Sequence, residues 1–206
     1  MADALCIFKP DAAHRPAARA ALAAWLLSED GWQVRGLTWF QPPRTLVEEH
    51  YDFLRGRPFF PWLVDFMSAL PAIVGRIEAD AGTLERMRYE LGETRIAESR
   101  PGSLRERFGI GGGVNVLHLS DAPETGANEV ALWSSHVDLA KHDADLTTSS
   151  ARPDHTYHLR SLASQYGAGV HRDLAGREIE RLLREESDLD ATQFPSLVRI
   201  VLEAFA

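Results

Sequence analysis

His118 closes an apolar run, Val114-Asn115-Val116-Leu117-His118-Leu119, that follows directly on Gly111-Gly112-Gly113. A strand holds such a histidine rigidly while its ring edge faces a loop-lined cleft, which suits a nucleophile or a proton carrier. An isolated histidine of this kind is more often a core residue satisfied by Ser120 or by backbone. Glu129, eleven residues on in a helical segment, shifts the balance. Its carboxylate can hold one ring nitrogen, leaving the other unprotonated and nucleophilic.

A second group lies just upstream, with Arg88, Thr94 and Arg105 on a polar stretch. Phosphoryl transfer needs fixed cations and hydroxyl donors around charged oxygens, and guanidinium forks match phosphate geometry. Without context these are ordinary surface arginines. Phe59 and Phe60 follow a short helical segment; one ring suits the core and the other can stack on a flat base. The remaining histidines, His14, His50, His136, His142, His155, His158 and His171, lack metal-like spacing, and His142 with Asp143 and Asp145 reads as a solvated linker.

The elements that must position these groups follow from pattern and punctuation. Strands are expected over 4–8, 32–41, 71–77 and 114–119. Helices are expected over 16–27, 45–54 (opened by a Thr45/Glu48 capping box), 62–69, 82–91 (closed by Gly92) and 123–133. This order points to an α+β fold, a ferredoxin-like βαββαβ core with an antiparallel four-stranded sheet. Period-2 alternation would put Asn115 and His118 on opposite faces, so Asn115 is expected in the turn before the strand. The expected division is a domain over 1–135, a polar linker over 136–153 and a helical appendage over 154–206, with helices at 154–168, 175–186 and 195–205. The appendage carries no catalytic motif.

Charge and cysteine usage narrow the class. A net charge of −8 argues against bulk nucleic-acid binding but leaves room for a local arginine cluster around an anion. Lys9 and Lys141 are the only lysines among 22 basic residues, and Lys9 sits in the unusual segment Phe8-Lys9-Pro10-Asp11. No apolar run is long enough to span a bilayer and no signal peptide is visible. The single cysteine, Cys6, reads as a small buried hydrophobe, so a cytoplasmic, reducing setting is expected.

Seven segments together resemble the nucleoside diphosphate kinase family in order and spacing: Ile7-Phe8-Lys9-Pro10-Asp11, Glu49-His50-Tyr51, Arg57-Pro58-Phe59-Phe60, Leu91-Gly92-Glu93-Thr94, Ser99-Arg100-Pro101-Gly102, Asn115 with His118, and Ser120-Asp121. The resemblance covers about residues 3–135. It implies a ping-pong transfer of the γ-phosphate from a nucleoside triphosphate to a diphosphate through phospho-His118. It assigns Glu129 to orienting that ring, Ser120 to supporting Glu129, and Tyr51 to the place beside the nucleophile. Lys9 and Asn115 would bind ribose hydroxyls, Lys9 also neutralising phosphate charge. Arg88, Thr94 and Arg105 would clamp phosphates, and Phe59 would stack on the base with Leu63 nearby. Mg²⁺ bridging the nucleotide phosphates and a homo-oligomeric assembly are implied as well. Alternatives are a nucleotide-binding regulatory module on the same fold, or a related phosphotransferase with a specialised acceptor.

Three departures from the family pattern carry expectations. Leu119 replaces a glycine after the nucleophile, implying crowding or altered backbone there. Gly112 replaces a branched aliphatic wall of the base pocket, implying a looser grip and poor base discrimination. Ile96 replaces a proline in a loop that many relatives use for subunit contacts.

Overall fold

The computed structural model describes residues 1–28, 30–144, 146 and 152–206. Four strands form one sheet: β1 (Ala2–Phe8), β2 (Gln33–Phe40), β3 (Ala72–Ala79) and β4 (Leu117–Leu119), in the order β2-β3-β1-β4. Every neighbouring pair is antiparallel, and β1 occupies the centre, with Ile7 opposite Val74 on one side and His118 on the other. The ferredoxin-like α+β expectation holds.

Alternation along β1 feeds two cores. Ala4, Cys6 and Phe8 point to the face covered by α2 (Pro16–Leu26) and α5 (Ala81–Leu91), through Leu22, Leu26, Leu84 and Met87. Leu5 and Ile7 point to the other face, beneath α3 (Arg44–His50), α4 (Phe60–Ser68) and α7 (Pro123–Ser134). A short helix not expected from the sequence, α1 (Pro10–Ala13), turns the chain directly after β1, with a proline at its first position where a missing N–H costs nothing.

Helix α6 (Leu104–Phe108) precedes the glycine turn. After α7 come α8 (Thr156–Gly167), α9 (Arg172–Glu186) and α10 (Phe194–Glu203). The extension packs on helices of the preceding portion, α10 against α4 and α1, and α8 against α6. Leu159, Ile179, Leu183, Leu197 and Ile200 belong to the same buried cluster as Leu5 and Ile7. Arg15 at the start of α2 is 1% exposed and pairs with Glu186 and Thr156 of the extension. Within the segment that reads as a linker, residues 142–144 lie along β2: the N–H groups of Asp143 and Ala144 both donate to the Leu37 carbonyl. Asp143 pairs with Lys141, and Asp145 lies outside the described residues.

Two local expectations are corrected. The Thr45/Glu48 capping box does not form, because α3 begins at Arg44 on Pro43 with no side-chain cap. Prolines 42 and 43 already set the extended entry that a cap would otherwise select. The last strand shortens from 114–119 to Leu117–Leu119, for a reason that bears on the site.

Candidate active site

Val116 is the hinge of the site. Its φ is 70°, a left-handed conformation that costs a β-branched residue on the order of 1–3 kcal/mol. Two bonds hold it there. The Val116 N–H donates to Oδ2 of buried Asp11 at 3.1 Å, and its carbonyl accepts the Lys9 N–H at 2.9 Å. This reversal interrupts the alternation that would separate Asn115 from His118, and Asn115 lies in the turn as expected. Oδ1 of Asn115 accepts from Lys9 Nζ at 2.6 Å, and Nδ2 donates to the Thr94 carbonyl at 2.9 Å.

His118, opposite Ile7 in the ladder, lies on the α3–α7 face. Its Nε2 is 3.0 Å from Oε2 of Glu129. Ser120 donates its hydroxyl to the same oxygen and accepts the Leu5 N–H at 2.8 Å, so the carboxylate is tied back to the centre of the sheet. Burial pushes Glu129 up, but the hydrogen bond and charge of His118, aided by His50 and Ser120, outweigh it and leave the group below the usual carboxylate range. A carboxylate at Nε2 makes that nitrogen the N–H donor and turns the lone pair of Nδ1 outward. Tyr51 meets the His118 ring edge-on at a centroid distance of 6.3 Å, and burial raises its phenol so that it stays protonated. Leu119 does not crowd the histidine. Its side chain packs opposite Cys6 in the other core, and its carbonyl accepts from Arg88 at 2.7 Å.

Positive charge gathers beside this ring. Lys9 is 6% exposed and Arg105 is 4% exposed. Burial, reinforced by Arg105, lowers Lys9 to about 7, while nearby Asp11 partly offsets both. Burial and Arg88 lower Arg105 to about 10. Among the described residues none of Lys9, Arg88 and Arg105 forms an ion pair; Arg105 donates to the carbonyls of Gly92 and Leu117 and lies 3.5 Å from the Thr94 hydroxyl. Desolvated cations facing one cleft favour a polyanion. Phe59, at the N-cap of α4, is 48% exposed, with Leu63 buried one turn further along the helix.

These contacts bring His118, Glu129, Ser120, Tyr51, Lys9, Asn115, Thr94, Arg88 and Arg105 together around β4 and the turn before it, while Phe59 and Leu63 lie at the start of α4. Three further residues act on the site without having been singled out: Asp11, which holds Val116; His50, whose ring lies 4.8 Å from that of His118; and Trp133, which bonds to His50. Asp11 and His50 stand inside two of the recognisable segments, beside Lys9 and Tyr51, and that adjacency was their only signal.

The sequence model of the family described as nucleoside diphosphate kinase matches residues 2–139. The chain belongs to the nucleoside diphosphate kinase family. It is 39% identical over 117 residues to the nucleoside diphosphate kinase of Trichormus variabilis, covering 57% of this chain and 78% of that one. It is 35% identical over 133 residues to that of Chloroflexus aurantiacus, covering 65% and 87%. Among solved structures, the nucleoside diphosphate kinase of Aquifex aeolicus superposes with a TM-score of 0.55 at 33% identity, covering 64% of this chain and 94% of that one. The Encephalitozoon cuniculi enzyme, at 24% identity and a TM-score of 0.60, supports the fold alone. The family match ends before α8, so the extension lies outside it.

Proposed function

We propose that the chain is a nucleoside diphosphate kinase that works through a phosphohistidine at Nδ1 of His118. The observation that carries this reading is the Glu129–His118 contact: the carboxylate occupies Nε2 and leaves Nδ1 as a lone-pair donor beside Lys9, Arg88 and Arg105. In the first half-reaction Nδ1 attacks the γ-phosphorus and the bond to the β–γ bridging oxygen breaks, releasing a nucleoside diphosphate. In the second, a terminal oxygen of an acceptor diphosphate attacks that phosphorus, and the P–N electron pair returns to Nδ1.

Arg88, Arg105 and Thr94 neutralise the charge that spreads over the transferring oxygens. Lys9 and Asn115 hold the ribose hydroxyls, Tyr51 donates beside the nucleophile, and Phe59 with Leu63 carries the base. Ser120 fixes Glu129. A regulatory module would need neither the nucleophile nor its orienting carboxylate.

Mg²⁺ enters as part of the nucleotide substrate, where it screens phosphate charge. Among the described residues the trio His50, His118 and Glu129 brings ligand atoms within 4.8 Å of one another, but two imidazoles and one carboxylate are a poor match for a hard cation that prefers oxygen. Phosphate oxygens are the better ligands. Family membership supports a homo-oligomer. With Cys6 as its single cysteine the chain needs no internal disulfide, which is compatible with a reducing compartment such as the cytoplasm. No helix among the described residues is long and apolar enough to cross a membrane.

The test is incubation with γ-labelled ATP and Mg²⁺. The reading requires an acid-labile, base-stable label that chases onto assorted nucleoside diphosphates and is absent from His118→Ala. Label persisting in that variant overturns it.

A further inference from the structure

The glycine turn 111–113 offers no side chain to a base, yet each of its three faces is already covered. A Cβ on Gly111 would lie 2.9 Å from the Phe205 ring. One on Gly112 would have the Ala204 carbonyl oxygen as its nearest neighbour, at 3.7 Å, and one on Gly113 would meet the Trp62 ring at 2.5 Å. Real Cβ atoms do not approach so closely as the first and last of these, so the turn and the extension are fitted to one another: small where the other is large. The direction in which a wall side chain would leave residue 112 is the direction in which the extension lies.

The fit is anchored. The Trp62 indole N–H donates to the Ile200 carbonyl of α10 at 2.9 Å. Trp62 stands three residues beyond Phe59 in α4, and its ring stacks on Phe66 at 5.1 Å with the planes 13° apart. Phe66 in turn lies 6.0 Å from Lys9 Nζ, which also reaches the Gly113 carbonyl at 3.4 Å. A continuous layer thus runs from the extension, through Trp62 and the glycine turn, to the lysine of the site.

We infer that Ala204 and Phe205, outside the family match, form the wall of the base slot facing Phe59, and that the extension thereby takes part in binding the base. This rests on the reading of the cleft as a nucleoside diphosphate kinase site. An aromatic edge and a backbone carbonyl make a wall that covers any base face, where a branched aliphatic side chain would otherwise do so.

The test compares two donors on the full chain: ATP, and ribose 5-triphosphate, which carries the same phosphates and sugar without a base. Phe205→Ala is expected to raise the concentration of ATP needed for half-maximal labelling of His118 by about three- to tenfold. Ribose 5-triphosphate is expected to be unaffected, and Phe205→Leu, which keeps most of the bulk, to fall between. Equal losses for both donors, or no loss for either, overturn the inference. A second measurement needs no variant: photolabelling with 8-azido-ATP should mark the peptide containing Phe205, and its absence from that peptide overturns the inference too. If the wild-type chain takes label from neither donor, the kinase reading itself fails, which is a separate result.

Discussion

The indole N–H of Trp133 donates to Nδ1 of His50 at 3.1 Å, which places the single proton of a neutral His50 ring on Nε2. That nitrogen faces Oε1 of Glu129 at 3.7 Å and has no hydrogen-bond partner among the described residues. Burial, with the charge of His118, holds His50 down to about 3, against the pull of Glu129, so the ring stays neutral throughout the working pH range. His50 is thus a donor aimed at the carboxylate oxygen that His118 and Ser120 leave free.

His50→Leu removes a neutral donor 3.7 Å from Glu129 Oε1, beyond hydrogen-bond range. It is expected to slow phosphorylation of His118 by less than the roughly tenfold of a formed hydrogen bond to a charged group, with little change in nucleotide KM. His50→Gln, which can accept from Trp133 and donate to Glu129, should restore most of the rate. Nitrogen-15 spectra should show His50 in the Nε2-protonated form; an Nδ1-protonated ring would sink the assignment.

Asp11→Ala leaves the buried Val116 N–H without an acceptor, at a cost of about 1–3 kcal/mol in stability. Because that bond also holds the reversed residue between Asn115 and His118, the labelling rate should fall even at temperatures where the variant is fully folded. Denaturant melts together with single-turnover labelling check both halves. A variant that loses stability but keeps its rate would show that Asp11 braces the fold alone.

Nucleotide affinity should weaken as pH rises through about 7, the value to which burial lowers Lys9. Above it the free protein has lost the ammonium that an incoming phosphate requires, so each further pH unit costs up to about tenfold in Kd. For stability the sign is opposite. The unfolded chain keeps this proton to about 10.5, so between those values the unfolded state binds more protons and the Lys9 contribution to stability rises with pH. Equilibrium titrations of ADP between pH 7 and 9 should show the trend, and Lys9→Met should bind weakly with a flat profile.

Glu186→Ala should destabilise the chain by about 1–3 kcal/mol, because it removes the Nε partner of the buried Arg15 guanidinium, which keeps the Phe108 carbonyl, Thr156 and, at 3.7 Å, Asp154. Cutting the chain near residue 153 should do worse, uncovering the face of α4 around Trp62 on which α10 packs and removing the Arg15 partners Asp154, Thr156 and Glu186 together. Chemical denaturation read by tryptophan fluorescence is expected to give one cooperative transition for the intact protein. Two separate transitions would mean that the kinase portion and the extension fold independently.

Gly112→Val should not tighten nucleotide binding. Residue 112 adopts φ +55°, where a β-branched side chain is strained, and the space beyond its would-be Cβ is bounded by the Ala204 carbonyl at 3.7 Å. The expected outcome is a less stable protein, by about 1–2 kcal/mol, with unchanged or weaker binding by calorimetry.

The legible parts of this chain are those whose cause is local. The apolar runs of β1 and β3 announced buried strands, and the glycine, arginine and histidine segments kept a spacing specific enough to name a family. Illegible parts depend on partners far along the chain. Val116 reads as an ordinary strand residue until Asp11, 105 positions away, takes its N–H. The glycine turn reads as a weakened pocket until Phe205 is seen against it. Arg15 carries no local signal of its burial, since no periodicity in α2 betrays a carboxylate in α9. Leu119 reads as an obstruction only if the face it occupies is unknown, and a register that pairs it with Cys6 removes the difficulty.

The Arg15–Glu186 pair spans 171 positions, and that separation sets an order of events on the ribosome. The first strand and the helices beside it leave the ribosome long before Glu186, so this guanidinium gains its buried ion pair only after the rest of the sheet has been made. The portion homologous to shorter kinases is expected to complete its buried Arg15 pair only when α9 arrives. A polymerising chain that stalls before residue 186 would present an unfinished core to chaperones and proteases, however complete its catalytic residues already are.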